Sequence, residues 1–198
     1  MTRVCLIGDP DCNLQYELLS RETSREALAT YDLRRPFENS ISLRTVSVGA
    51  AVSLLNDLNW YLTRFVDEAL VQEPSVSEDE WLSRALATEL RNGDLEPADT
   101  AEFCKIYGLE RVGPDPDAET EADGDTAAST ANGGNTATGD TAKSDESAEA
   151  GETRDTATNW RLVEPLYVRR TGGELPTYDL RDVEETLVVR LTEAEHSP

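Results

Sequence analysis

Histidine, methionine, cysteine and lysine are all scarce in this chain of 198 residues, and the scarcity of histidine and of cysteine each argues against a chemistry. The one histidine, His196, lies near the C-terminus, so a Ser/His/Asp or Cys/His arrangement for nucleophilic catalysis has no base. Cys5, Cys12 and Cys104 are odd in number and lack paired metal spacing, which argues against a disulfide framework or a zinc site. Cys5 and Cys104 read as small buried apolar residues. There is no phosphate-cradling glycine loop, Walker pattern or dinucleotide fingerprint. The most apolar stretch, Gly49–Val71, carries Asp57, Arg64, Asp67 and Glu68, too many charges for a membrane span. Met1-Thr2-Arg3 leads straight into a strand-like run with no cleavage pattern, so the expected location is the cytoplasm, with no membrane partner.

What is abundant is acid. The formal net charge is -22, from 40 acidic and 18 basic residues, and every basic residue except Lys105 and Lys143 is an arginine. Such a charge repels itself in dilute buffer. At molar salt the Debye length falls to about 3 Å and the repulsion is screened, while carboxylates keep the surface hydrated. An acidic tail or a nucleic-acid mimic would also give an acidic count, but the excess persists outside the most acidic stretch, which favours adaptation to a salt-filled cytoplasm. The basic footprint that nucleic acid requires is absent.

Residues 113–158 contain no aromatic, Val, Leu or Ile, and 12 acids face two bases there. Such a segment cannot bury enough apolar surface to offset its ordering entropy and is expected to be a disordered acidic insert. Its alternating acids, Asp115 to Asp125, resemble a calcium loop only loosely, because the glycine is misplaced and the closing Glu is missing. The expected domain is residues 1–112 plus 159–198, since the part after the insert is too short to fold alone. Closing a long loop costs only logarithmically more than closing a short one.

Periodicity predicts a buried strand at Arg3–Ile7, a helix over Glu22–Tyr31 and a half-buried strand over Ile41–Val46. Ala51, Leu55, Leu58, Leu62, Phe65 and Ala69 form one apolar stripe at helical spacing, which predicts a helix over Gly49–Val71. Ser77-Glu78-Asp79-Glu80 reads as a capping box opening a helix that stops at Gly93. Pro97 predicts the start of a third helix running to Tyr107, and Leu166–Arg169 and Thr186–Leu191 read as strands. The expected fold class is α+β: a single small mixed or antiparallel sheet built from both chain ends, with about three helices packed on it.

Thr30-Tyr31-Asp32-Leu33-Arg34 recurs as Thr177-Tyr178-Asp179-Leu180-Arg181, each copy preceding a predicted strand. The repeat surface of Tyr31, Asp32, Tyr178 and Asp179 is a candidate shared site, with Arg34 and Arg181 as candidate anion-binding groups. The plainer reading is a turn-and-strand entry used twice. Asp9, Asp11 and Cys12, in an acidic loop after the first strand, are the candidate catalytic residues, because α/β enzymes often hold a metal or a nucleophilic Asp there. Turn composition explains Gly-Asp-Pro-Asp equally well. No cofactor and no metal ligand set is expected.

Arg3-Val4-Cys5-Leu6-Ile7-Gly8, Tyr16-Glu17-Leu18-Leu19-Ser20-Arg21-Glu22, Leu54-Leu55-Asn56-Asp57-Leu58-Asn59-Trp60-Tyr61-Leu62 and Tyr178-Asp179-Leu180-Arg181-Asp182-Val183-Glu184-Glu185-Thr186 together resemble a family of small acidic haloarchaeal proteins, a domain of unknown function. The likeness covers both folded stretches, implies a haloarchaeal cytoplasm and transfers no catalytic residue. The function expected is a non-catalytic interaction or regulatory module binding a protein partner through the Gly49–Val71 helix or the repeat surface, or forming a homodimer through that helix. The alternative is a small enzyme acting on a phosphorylated or anionic metabolite through Asp9 and Asp11. From the charge follows one expectation: circular dichroism melts from molar to millimolar KCl should show the fold loosening as salt is removed. An unchanged melting point would refute the salt reading.

Overall fold

The computed structural model describes residues 1–112, 160–171, 173–178, 183 and 185–197. The expected insert lies outside these, as do Asp179, Leu180 and Arg181 of the second repeat copy. Met1–Gly113 and Ala157–Pro198 belong to one compact unit.

The fold is α+β, with seven strands in one mixed sheet. The strands are β1 (Thr2–Gly8), β2 (Ser40–Thr45), β3 (Val66–Gln72), β4 (Trp81–Ser83), β5 (Phe103–Arg111), β6 (Trp160–Arg169) and β7 (Glu185–Leu191), in spatial order β2-β1-β3-β4-β7-β5-β6. The sheet is larger than the small one expected. Every pairing is antiparallel except the short parallel one between β4 and β7, where Trp81 partners Val189 and Leu82 partners Arg190.

Strand alternation sorts the side chains into layers. From β1, Val4 and Leu6 join one apolar cluster, while Cys5 and Ile7 join another. The first cluster is covered by helices: α1 (Leu14–Leu19), α2 (Glu22–Leu28), α3 (Val48–Asp57), α4 (Asn59–Phe65) and α5 (Arg84–Asn92). A last short helix, α6 (Glu193–His196), opens on a capping box between Thr192 and Glu195. The second cluster gathers Phe37, Leu70, Trp81, Tyr107, Leu109, Leu187 and Val189 from almost every strand, so it fills a concave face. Phe37 pairs with Trp160 as an isolated bridge, with Glu38 N donating to Trp160 O at 2.7 Å. Because Arg34, three residues earlier, bridges to Ser42 of β2, this contact brings the two edges of the sheet together.

Three expected helices change. Six α-helices occupy the described residues, where about three were expected. The Gly49–Val71 helix is in fact α3, a break at Leu58 (φ -87°, ψ 2°), α4 and then strand β3. The apolar stripe nevertheless faces one core: Ala51, Leu55, Leu58 and Leu62 are buried, and Phe65 and Ala69 pack against them. Ser77 Oγ accepts from Glu80 N at 3.1 Å, but this closes a turn. The helix begins later at Arg84, where Ser83 Oγ accepts from Leu86 N, and it ends at Gly93 with φ 79°, the left-handed value a glycine C′ residue supplies. Pro97–Ala101 is a single 3-10 turn, and the residues expected to continue it as helix are strand β5.

Next to the junction between β4 and β7, Glu80 is fully engaged. Arg170 Nη2 donates to its Oε1, and Oε2 accepts from Arg170 Nη1 at 3.2 Å and Arg190 Nε at 2.5 Å. Arg190 Nη1 continues to Thr100 Oγ1 at 2.8 Å. Burial alone would raise the Glu80 carboxyl, but hydrogen bonds from Arg170 and Arg190 outweigh it and hold the group below the usual range.

β5 and β6 pair as far as Arg111 opposite Trp160, so the residues flanking 112–159 are ladder partners, roughly 5 Å apart. Replacing 114–157 with a short Gly/Ser loop should therefore leave a folded, monodisperse protein by circular dichroism and gel filtration. An unfolded product would mean that the excised residues are needed by the sheet.

Candidate functional site

Three polar side chains stand on the apolar concave face. Strand alternation puts Glu68 on the same side of β3 as buried Leu70, and Lys105 and Tyr107 on the same side of β5 as buried Leu109. β4 and β7 separate β3 from β5 in the sheet, so the three meet across the interior. Lys105 Nζ donates to Glu68 Oε1, and Tyr107 Oη donates to the same oxygen at 2.7 Å. Only 8% of the Lys105 side chain and 19% of Glu68 is exposed. Burial, the Glu68 charge and the hydrogen bond to it push the Tyr107 hydroxyl well above its ordinary value, so it stays a donor.

Glu68 and Tyr107 line a cleft of about 550 Å³. Its other walls come from Gly8 at the end of β1, Pro10 and Cys12 after it, Glu38 and Asn39 before β2, Asp67, and Arg161–Pro165 of β6. A bulge shapes the β6 wall: Ile106 pairs with Leu166 and Gly108 with Val163, so one extra β6 residue stands opposite Tyr107. Gly108 permits the approach, since a Cβ there would lie 2.6 Å from Val163 Cγ2. Desolvation and the neighbouring Glu68 hold the Asp67 carboxyl above its usual range.

Among the described residues Glu68 Oε2 has no hydrogen-bond partner, and Glu68 is partly exposed where it lines the cleft. The carboxylate is pinned through one oxygen and offers the other. This contrasts with Glu80, whose two oxygens are both taken by arginine.

Asn39 organises the rim. It sits at φ 48°, and its Nδ2 donates to Asp9 O at 3.0 Å and Cys12 O at 2.9 Å while its Oδ1 accepts from Leu14 N at 2.9 Å. Gly8 is required beside it, because a Cβ at that position would fall 2.4 Å from Asn39 Nδ2. Asparagine tolerates the left-handed region better than most residues.

The residues singled out in the sequence are distributed differently. Asp9 Oδ1 accepts from Asp11 N at 2.9 Å, a local turn, and Asp11 is exposed. Cys12 lines the cleft, but burial and then Asp9 and Glu17 push its thiol up, away from the nucleophilic thiolate. Arg34 pairs with Asp32 at 3.3 Å in solvent, a contact of small energy. Tyr31 packs on the helix-covered core and Tyr178 on a separate cluster around Cys104, Ile106 and Val168. Asp179 and Arg181 lie outside the described residues. Among the described residues no group of three or more His, Cys, Asp or Glu is suited to hold a metal. Nor among them is any helix long and apolar enough to cross a membrane.

Glu68, Lys105, Tyr107 and Asn39 were not among the candidates. The signal for two of them is the alternation in Phe103-Cys104-Lys105-Ile106-Tyr107-Gly108-Leu109, a strand pattern hidden by the helix expected from Pro97.

A family of unknown function, DUF5804, matches residues 2–109. The match takes in β1 to β5 as far as Leu109, hence Glu68, Lys105 and Tyr107, but does not extend to the second folded stretch that the resemblance was expected to cover. Neither curated proteins nor solved structures gave a match.

Breaking a buried ion pair leaves an uncompensated charge, which costs about 3–5 kcal/mol, whereas replacing both partners by apolar groups is often neutral. Lys105→Met should lower the urea-derived unfolding free energy by about that amount, and Lys105→Met with Glu68→Leu should recover most of it. A single-variant loss under about 1 kcal/mol would mean the pair behaves as a surface contact.

Proposed function

Since the chain belongs to DUF5804, a family of unknown function, its role is read from its own cleft, and we propose that it binds a small organic cation there. The single observation that carries this reading is the half-used carboxylate: Glu68 is fixed through Oε1 by Lys105 and Tyr107, and among the described residues Oε2 has no donor. Deep pockets with a few convergent polar groups on apolar walls are the usual form of small-molecule sites. The charge of the lining supports a cation over an anion. Among the described lining residues Glu38, Asp67, Glu68 and Glu164 face one base, Arg161, which is itself paired with Glu110 at 3.0 Å.

Binding without turnover agrees with the non-catalytic module expected from the sequence, moved from a helix surface to a cleft. A protein partner keeps one feature in its support: Trp60, half exposed on α4 and flanked by the guanidinium groups of Arg21 and Arg64. The enzyme alternative through Asp9 and Asp11 has less, because Asp9 is engaged in its own turn and the lining is acidic where an anionic metabolite would need bases. The salt-rich cytoplasm remains the setting in which the charge of -22 makes sense.

A hydrogen bond to a charged group is worth about 1.5–3 kcal/mol, or roughly ten- to a hundredfold in affinity. Calorimetric titration with cadaverine should show saturable binding that Glu68→Gln weakens by about that factor. Binding indifferent to Glu68→Gln, or a preference for valerate over the diamine, would overturn the assignment.

A further inference from the structure

A second cavity of about 240 Å³ adjoins the first, sharing Cys12 and Asn39 as walls. Its charge character is the reverse. Among the described residues Arg35 is its one charged lining residue, accompanied by Asn13, Gln15, Ser40 and Phe37. In a chain with 40 acids against 18 bases, a cavity without an acid among its described lining residues, beside one with four, is a strong local asymmetry. Arg35 is exposed and makes no ion pair among the described residues, so its five-donor fork is available. Phe37 gives the second cavity an apolar wall, and Ile7 and Pro10 give one to the first.

Granting the ammonium site at Glu68, we infer that the ligand is a zwitterion whose carboxylate lies against Arg35 and whose methylene chain runs past Cys12 and Asn39, the residues that line both cavities. Arginine matches a carboxylate bidentately, which fixes orientation as well as charge. Glu68 Oε2 takes the ammonium at the other end. Asn39 is then a positioning residue: its side chain holds the main chain of Asp9, Cys12 and Leu14, and so sets the shared wall between the two charged ends. A ligand with two cationic ends would leave Arg35 unused, and one with two anionic ends would meet the four carboxylates.

The test is calorimetric titration of the full chain with δ-aminovalerate, cadaverine and valerate, on wild type, Arg35→Gln and Glu68→Gln. Arg35→Gln should weaken δ-aminovalerate by about tenfold or more and leave cadaverine unchanged, whereas Glu68→Gln should weaken both. If Arg35→Gln leaves δ-aminovalerate binding unchanged while Glu68→Gln still weakens it, the second cavity has no part in recognition and the zwitterion is wrong, though the cation site survives. If wild type binds neither amine, both readings fall. Should Glu68→Gln melt below the assay temperature, the Arg35→Gln arm decides alone, because Arg35 is exposed and makes no ion pair among the described residues.

Discussion

Glu68 and Lys105 touch only because one sheet curls far enough for opposite walls to face each other. In a flat sheet, strands with two others between them lie roughly 14 Å apart, beyond the reach of a single ion pair. Here the bridge of Phe37 to Trp160 ties the edges, and apolar side chains from β1, β3, β4, β5, β6 and β7 fill the hollow. The narrowest part is β4, three residues long and the sole strand joining β3 to β7. Glu80 reinforces that junction from outside, through Arg170 beyond β6 and Arg190 on β7. The interior ion pair and the outer clamp are thus two fastenings of one curled sheet.

They differ in how the carboxylate is used, and the choice of base explains the difference. Guanidinium is a planar fork that engages both carboxylate oxygens, as Arg170 does at Glu80. Ammonium is a compact point charge that can sit on one oxygen. In a chain with 16 arginines and two lysines, the buried partner of Glu68 is a lysine. Lys105 and Tyr107 share Oε1, and among the described residues Oε2 has no donor. An arginine fork at position 105 would engage both oxygens and close the site.

Sequence reading recovered the elements whose pattern is local. The β1, β2 and β7 strands, the glycine stop at Gly93 and the α+β class were all legible from alternation and capping. The Gly49–Val71 stretch was not, because its stripe is shared by two helices and a strand that all face one core. Ala69 occupies a helical position in the pattern, yet it sits on a strand whose pairing with β1 decides its conformation. The site was lost for the same reason. On a helix Lys105 and Tyr107 would point about 200° apart, while on β5 they share a face. Nothing local in the sequence announces that Glu68, which is 37 residues away from Lys105, faces them.

A net charge of -22 draws cations to every part of this surface, so negative charge alone cannot distinguish a ligand. What sets Glu68 apart is constraint. An exposed carboxylate such as Asp11 is not held in this way among the described residues, and a bound cation gains little there against screening. Glu68 is held by two donors and is mostly buried, where a directed hydrogen bond is worth more than in water. Its orientation is settled before a ligand arrives, and the entropy of ordering it has been met by the fold. Selection at such a site rests on where a donor is placed along an apolar frame, and an inorganic cation has no frame to place it.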